Sequence, residues 1–219
     1  MKPSTLVPGA ILALNSLTWP VAAGTLDQEY LPSQASGLII ERSQTLAQTF
    51  EVGLTGTLDR IEVELARNTI AAPEGLTLEI RSTLADGSPS ANVLAGIFIP
   101  GTDVPTEFQF MSFDLVPFGI TVTGGDALAL VLRSDAEPQG QVGGIDPFGW
   151  RGDAPGNYSR GTVYVDRGSG FGLASGWDFG FRTFVDTTAV PEPAGLPTLF
   201  CAAGVLLVRS RGRFLRSLC

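Results

Sequence analysis

Hydrophobic and polar positions alternate with a period of two through the middle of this chain. Ile61, Val63 and Leu65 interleave with Arg60, Glu62 and Glu64; Leu76, Leu78 and Ile80 interleave with Thr77, Glu79 and Arg81. Successive strand residues point to opposite faces, so this pattern predicts strands with one apolar and one polar side. A helix would scatter Ile61, Val63 and Leu65 over two faces. The run Leu84-Ala85-Asp86-Gly87-Ser88-Pro89 predicts a turn, and Pro100-Gly101 ends a short strand over 93–99. Phe108 and Phe110 share one face while Phe113 and Leu115 share the other, which predicts a bulge at Met111-Ser112. Leu128, Leu130 and Leu132 alternate with Ala127, Ala129 and Val131, so that strand is expected to be covered on both sides. Residues 137–161 read as a long connection carrying Trp150 and Tyr158, followed by a strand over 162–166 and a glycine-rich turn over 168–176. A last strand puts Trp177, Phe179 and Phe181 on one face and Asp178 and Arg182 on the other. About nine strands at this turn spacing predict an all-β, two-sheet β-sandwich over residues 37–186. Residues 24–36 are polar and without period, and read as a leader arm.

Composition narrows the chemistry. Only 16% of residues are charged and 44% are hydrophobic, with 27 Gly and 15 Pro, too apolar for disorder and too rich in turn formers for a helical fold. There is no histidine, which excludes Ser-His-Asp and Cys-His catalysis and histidine-ligated metals. Both cysteines, Cys201 and Cys219, lie beyond the sandwich, which therefore has no disulfide. All 22 acidic residues fall between Asp27 and Glu192 against nine arginines there, a net charge of −13. Such a domain repels nucleic acid, so no nucleic-acid partner is expected.

Two hydrophobic ends flank the predicted domain. Residues 1–23 read as a secretory signal peptide. Lys2 supplies the positive start, residues 6–17 the apolar stretch, and Val21-Ala22-Ala23 the small residues before a cut between Ala23 and Gly24. Ala22-Ala23-Gly24, with a cut before Thr25, is the alternative. At the other end, residues 187–219 hold Val190-Pro191-Glu192-Pro193, an uncharged and mostly apolar run over 194–208, and then Arg209, Arg211, Arg213 and Arg216. Proline keeps the first part extended, the second can enter a bilayer as a short transmembrane helix, and the arginines hold the end on the cytoplasmic side and stop transfer. The run of 15 residues makes about 22 Å of helix at ~1.5 Å per residue. That is short of a hydrocarbon core of about 30 Å.

These three parts, in this order, resemble the PEP-CTERM sorting signal of Gram-negative bacteria. The resemblance covers about 30 of the 219 residues. It implies that an exosortase, a membrane-embedded protease, recognises Val190, Pro191, Glu192 and Pro193. It also implies export through the secretory translocon, an inner-membrane intermediate, and delivery to the cell surface or extracellular matrix. The middle region resembles a jelly-roll module of bacterial surface proteins, on Ala47-Gln48-Thr49-Phe50, Gly56-Thr57-Leu58-Asp59-Arg60-Ile61 and Trp177-Asp178-Phe179-Gly180-Phe181-Arg182-Thr183-Phe184. That likeness implies a fold and no ligand.

The expectation is a noncatalytic surface or matrix protein associated with exopolysaccharide, as in a biofilm, without a catalytic residue or an obligatory cofactor. A carbohydrate-binding module is the alternative: exposed Trp150 and Tyr158 can stack on sugar rings while neighbouring Asp and Arg bond the hydroxyls. Asp146, Asp153 and Asp166 are oxygen donors of the type that takes Ca²⁺, although no Ca²⁺-binding loop motif surrounds them. A polysaccharide hydrolase using Asp and Glu is the third reading; Glu62 and Glu64 are close in sequence but sit on a polar strand face.

Overall fold

A computed structural model describes residues 24–34, 36–68, 74–137 and 147–187. The described residues form fourteen strands. In chain order these are β1 (Thr25–Tyr30), β2 (Gly37–Ile40), β3 (Thr45–Glu51), β4 (Gly56–Arg67), β5 (Leu76–Thr83), β6 (Pro89–Ile99), β7 (Gln109–Asp114), β8 (Thr121–Val122), β9 (Ala127–Arg133), β10 (Phe148–Asp153), β11 (Val163–Asp166), β12 (Phe171–Leu173), β13 (Asp178–Phe179) and β14 (Phe181–Asp186). One sheet runs β1-β14-β4-β10-β13, with β2 beside β10 and β7 and β8 beside β4; the other runs β12-β11-β3-β9-β5-β6. Every pairing is antiparallel. The protein is an all-β two-sheet sandwich, as the period-two pattern predicts.

The alternation decides which side of each strand is dry. Ile61, Val63 and Leu65 of β4 and Leu76, Leu78 and Ile80 of β5 are all within 1% of complete burial. They share one core with Phe50, Phe148, Trp150, Phe179 and Phe181. Burying a large apolar side chain contributes about 1.5–3 kcal/mol, so a core of this size needs no disulfide. β9 is covered on both faces, as expected. Leu128, Leu130 and Leu132 enter the main core, while Ala129 and Val131 join Ala47 and Tyr164 in a second, outer cluster capped by Phe171.

Four expectations are corrected. The stretch read as a leader arm holds β1, which pairs with β14 from Thr25↔Val185 to Tyr30↔Phe181. Its polar composition hid this because Gln28 is itself buried: its amide donates to Thr183 Oγ1 at 3.1 Å and its Oε1 accepts from the Tyr158 hydroxyl at 3.0 Å. The bulge expected at Met111-Ser112 is absent, since β7 pairs with β4 in unbroken register from Gln109↔Leu65 to Asp114↔Arg60. Phe110 lies on the outer face under the Arg182 guanidinium, 4.3 Å from the ring centre, so both faces of β7 carry aromatics without an inserted residue. The register shifts occur instead at Ile80/Arg81 and Arg81/Thr83 of the β5/β6 pair.

The long connection over 137–161 contains β10, which pairs with β2, β4 and β13. Finally, the expected last strand over 177–182 breaks at Gly180. A Cβ there would lie 2.9 Å from both Glu64 Oε2 and Pro32 Cδ. β13 stays with β10 while β14 moves to β1 and β4, and Asp178 is buried rather than solvated. These extra short strands are why fourteen replace the expected nine or so.

Candidate functional site

Trp150 does not meet its expected exposure. It is 0% exposed, its ring stacks on Phe179 at 4.6 Å between centroids, and its Nε1 donates to the Gly180 carbonyl at 2.9 Å. The indole is a core residue with its polar atom satisfied, and it offers no free face to a sugar. Tyr158 is half-buried. Its ring meets Phe181 edge-on at 5.2 Å and Tyr30 at 6.2 Å, and burial pushes its hydroxyl pKa up. The expected aromatic platform is therefore part of the wall between the sheets.

The predicted carboxylates cap backbone. Asp153, at the end of β10, is 4% exposed. Its Oδ2 accepts from Ser33 N at 2.6 Å, Ser33 Oγ at 3.1 Å and Tyr30 Oη at 3.3 Å, and its Oδ1 accepts from Gln34 N at 2.8 Å. Burial alone would raise its pKa, but these donors together outweigh it and hold the carboxyl below the usual value. Asp166 Oδ1 accepts from Gly168 N at 2.8 Å and Gly170 N at 2.9 Å, closing the β11/β12 turn where both glycines have positive φ. Asp146 lies outside the described residues. Among the described residues no group of three or more Asp, Glu, His or Cys is placed to hold a metal ion.

The sequence missed Asp178. Its Oδ2 accepts from Tyr158 N at 2.8 Å, its Oδ1 lies 3.4 Å from Gln48 Nε2, and burial raises its pKa. Gln48 also accepts from Phe179 N at 2.8 Å, which ties β3 of one sheet to β13 of the other. A buried Gln in an apolar strand is the signal that was available.

The two outer faces differ. On the β1/β14/β4 face, Arg182 bridges Glu29 at 2.8 Å and Glu62 at 3.1 Å, while the Arg60 guanidinium lies 3.7 Å above Phe184. Glu64, 5% exposed, pairs with Arg151 at 2.7 Å, so Glu62 and Glu64 both work as strand-to-strand ties. On the other face Glu79, 6% exposed, accepts from Arg81 Nε at 2.7 Å and Arg133 Nε at 2.9 Å. Burial opposes its ionisation, but the two arginines outweigh that and lower its pKa.

Beside this pair lies an open groove of about 410 Å³ whose lining includes Arg81, Ser88, Ser90, Asp166 and Phe171. Arg81 sits 5.9 Å over the half-buried Phe171 ring. An aromatic face, a guanidinium, hydroxyls and a carboxylate converge there, brought together by the β5/β6 and β11/β12 hairpins. Of the predicted site residues only Asp166 reaches it.

The sorting residues Val190, Pro191, Glu192 and Pro193, the arginines Arg209, Arg211, Arg213 and Arg216, and Ala23 lie outside the described residues. Gly24 is described, immediately before β1. Among the described residues no helix is long and apolar enough to cross a membrane. Searches against protein-family models and against curated proteins found no match to this chain.

Proposed function

We propose that this chain is an exported, noncatalytic surface or extracellular-matrix protein, delivered by a PEP-CTERM-type signal that an exosortase reads. The observation that carries the reading is the order of the last thirty residues: Pro-Glu-Pro, then a short apolar run, then four arginines. The geometry of the sandwich is compatible with it. β1 and β14 are neighbours and Thr25 pairs with Val185, so the first and last described strands lie side by side. We take the role of that domain to be structural or adhesive, in exopolysaccharide; the Glu-Arg ties on both outer faces hold its own strands together. We read the sandwich as jelly-roll-like, because the chain crosses between sheets repeatedly, β3 to β4, β9 to β10 and β12 to β13.

The test is replacement of Glu192 by Ala, together with Pro191→Ala and Pro193→Ala, in the native cell. Unprocessed protein should accumulate in the inner-membrane fraction. Unchanged surface display would contradict the reading.

Carbohydrate binding is the second reading, and the groove beside Arg81 is the observation that favours it. The platform is then Phe171 rather than Trp150 and Tyr158, with Ser88, Ser90 and Asp166 as hydroxyl partners. Binding to bacterial exopolysaccharide that is lost in Phe171→Ala would support it. Binding insensitive to both Phe171→Ala and Arg81→Ala would remove the groove from consideration.

A further inference from the structure

Asp59 is buried, 8% exposed, at the point where β4 passes the start of the described chain. Its Oδ2 accepts a hydrogen bond of 2.7 Å from the Gly24 backbone nitrogen. Its Oδ1 is buried and has no hydrogen-bond partner among the described residues. An ionised carboxylate offers about four acceptor positions, and leaving one oxygen dry and unpaired forfeits its hydration without replacement. Neighbouring charges do not repair the deficit. Arg60 is turned away over Phe184 and towards Glu62, and Asp186 on β14 adds negative charge. Burial accordingly raises the Asp59 pKa, against the opposing effects of the Gly24 amide and Arg60.

The backbone at residue 24 lies so close to this carboxylate that a side chain there would displace it. A Cβ on residue 24 would stand 2.3 and 2.4 Å from the two carboxylate oxygens. The nitrogen of Gly24 is also the atom that a cut after Ala23 would release. We infer that Asp59 is the docking site for the α-ammonium of a mature chain beginning at Gly24, so that leader removal completes the fold with a buried ion pair. This rests on the reading of residues 1–23 as a cleaved leader. Hydrolysis breaks the Ala23–Gly24 C–N bond. Water supplies the oxygen that makes Ala23 a carboxylate, and the Gly24 nitrogen leaves as an amine that takes a proton near neutral pH. One amide N–H thereby becomes an ammonium with three donors, next to an oxygen that lacks one. Charge-assisted bonds of this type are roughly twice as strong as neutral ones. The alternative cut before Thr25 would remove Gly24 and leave Asp59 without even its present donor. On this inference a start at Gly24, and not at Thr25, gives Asp59 its donor.

The mature protein carries a convenient reporter. Lys2 is the only lysine and leaves with the leader, so the α-amine is the sole primary amine remaining. The full precursor is expressed in a secreting host, the exported product is sequenced from its amino end, and its acylation by an amine-selective reagent is timed near pH 7. Each unit by which the ion pair raises the amine pKa cuts the reactive fraction about tenfold. The expected result is a Gly24 start and acylation at least about tenfold slower than in Asp59→Asn. Gly24→Ala, which retains the carboxylate but cannot fit against it, should acylate as fast as Asp59→Asn. A start at residue 24 with equal rates in all three proteins overturns the ion pair and leaves the leader reading intact. A product beginning at Met1 or Thr25 overturns the leader cut at Gly24, and the docking site with it.

Discussion

Asp59 and Asp153 are both nearly inaccessible, 8% and 4% exposed, yet their surroundings push their acidity in opposite directions. Around Asp153 the fold supplies four donors from Tyr30, Ser33 and Gln34, and the carboxyl is held below its usual pKa. Around Asp59 it supplies one, from Gly24, and the carboxyl is raised. Burial raises the pKa at both sites; at Asp153 the donors outweigh it, whereas at Asp59 the Gly24 amide and Arg60 do not, and Asp186 adds to the rise. The comparison teaches that the Asp153 corner is complete in the chain as translated, whereas the Asp59 corner is one donor group short.

The largest expected effect is at the complete site. Asp153→Ala strands the donors of Ser33, Gln34 and Tyr30 and should cost about 3 kcal/mol in urea denaturation. A loss below about 1 kcal/mol would mean that solvent reaches the corner and the contrast with Asp59 is false.

The next effect is in pH. The folded pKa of Asp153 lies below its unfolded value near 3.8, so its stabilisation is present above that pH and is lost as pH falls through the folded value. Asp153→Asn should therefore flatten the acid limb of the stability profile. Asp59 facing an uncharged Gly24 nitrogen has the opposite sign: its contribution is present below the unfolded value near 3.8 and is lost as pH rises through the folded one. Acetylating the mature α-amine recreates that uncharged nitrogen. Stability curves of the acetylated and free proteins should then diverge as pH rises from 3.8 to 7, the acetylated one falling behind. Superimposed curves would show that the ammonium is not at Asp59.

A smaller effect is expected at Asp178, whose pKa is raised by burial and whose two oxygens accept separately from Tyr158 N and Gln48 Nε2, so that an Asn oxygen keeps the 2.8 Å bond from Tyr158 N and gives up the 3.4 Å one from Gln48. Asp178→Asn should shift stability by less than about 1 kcal/mol, because removing a poorly compensated buried charge offsets the altered hydrogen bonds. A loss like that of Asp153→Ala would place Asp178 among the fully compensated carboxylates.

The sandwich was legible wherever polar and apolar residues alternate, as in β4 and β5, and in β9, where leucines alternate with Ala and Val. It was not legible in β1, because buried Gln28 reads as a surface residue until Tyr158 and Thr183 are seen beside it. β10 was hidden because Gly149, Gly152 and the surrounding Gly- and Pro-rich sequence read as a loop. Gly152 serves close strand packing: a Cβ on it would lie 2.7 Å from the Asp178 carbonyl oxygen and from Phe179 Cδ1. Trp150 was misplaced for the same reason, since an aromatic in a glycine-rich stretch looks exposed when the strand is not recognised. The groove at Arg81 and Phe171 could not be read from one segment, because two hairpins distant in sequence build it. The alternation that buries Ile61, Val63 and Leu65 puts Asp59 on the same side, and only the position of Gly24 shows what its carboxylate meets there.

The intact mass of the protein recovered from its native cell surface tests the account most directly. The account predicts a chain that starts at Gly24 and lacks Arg209, Arg211, Arg213 and Arg216. A chain that still carries all 219 residues would contradict it.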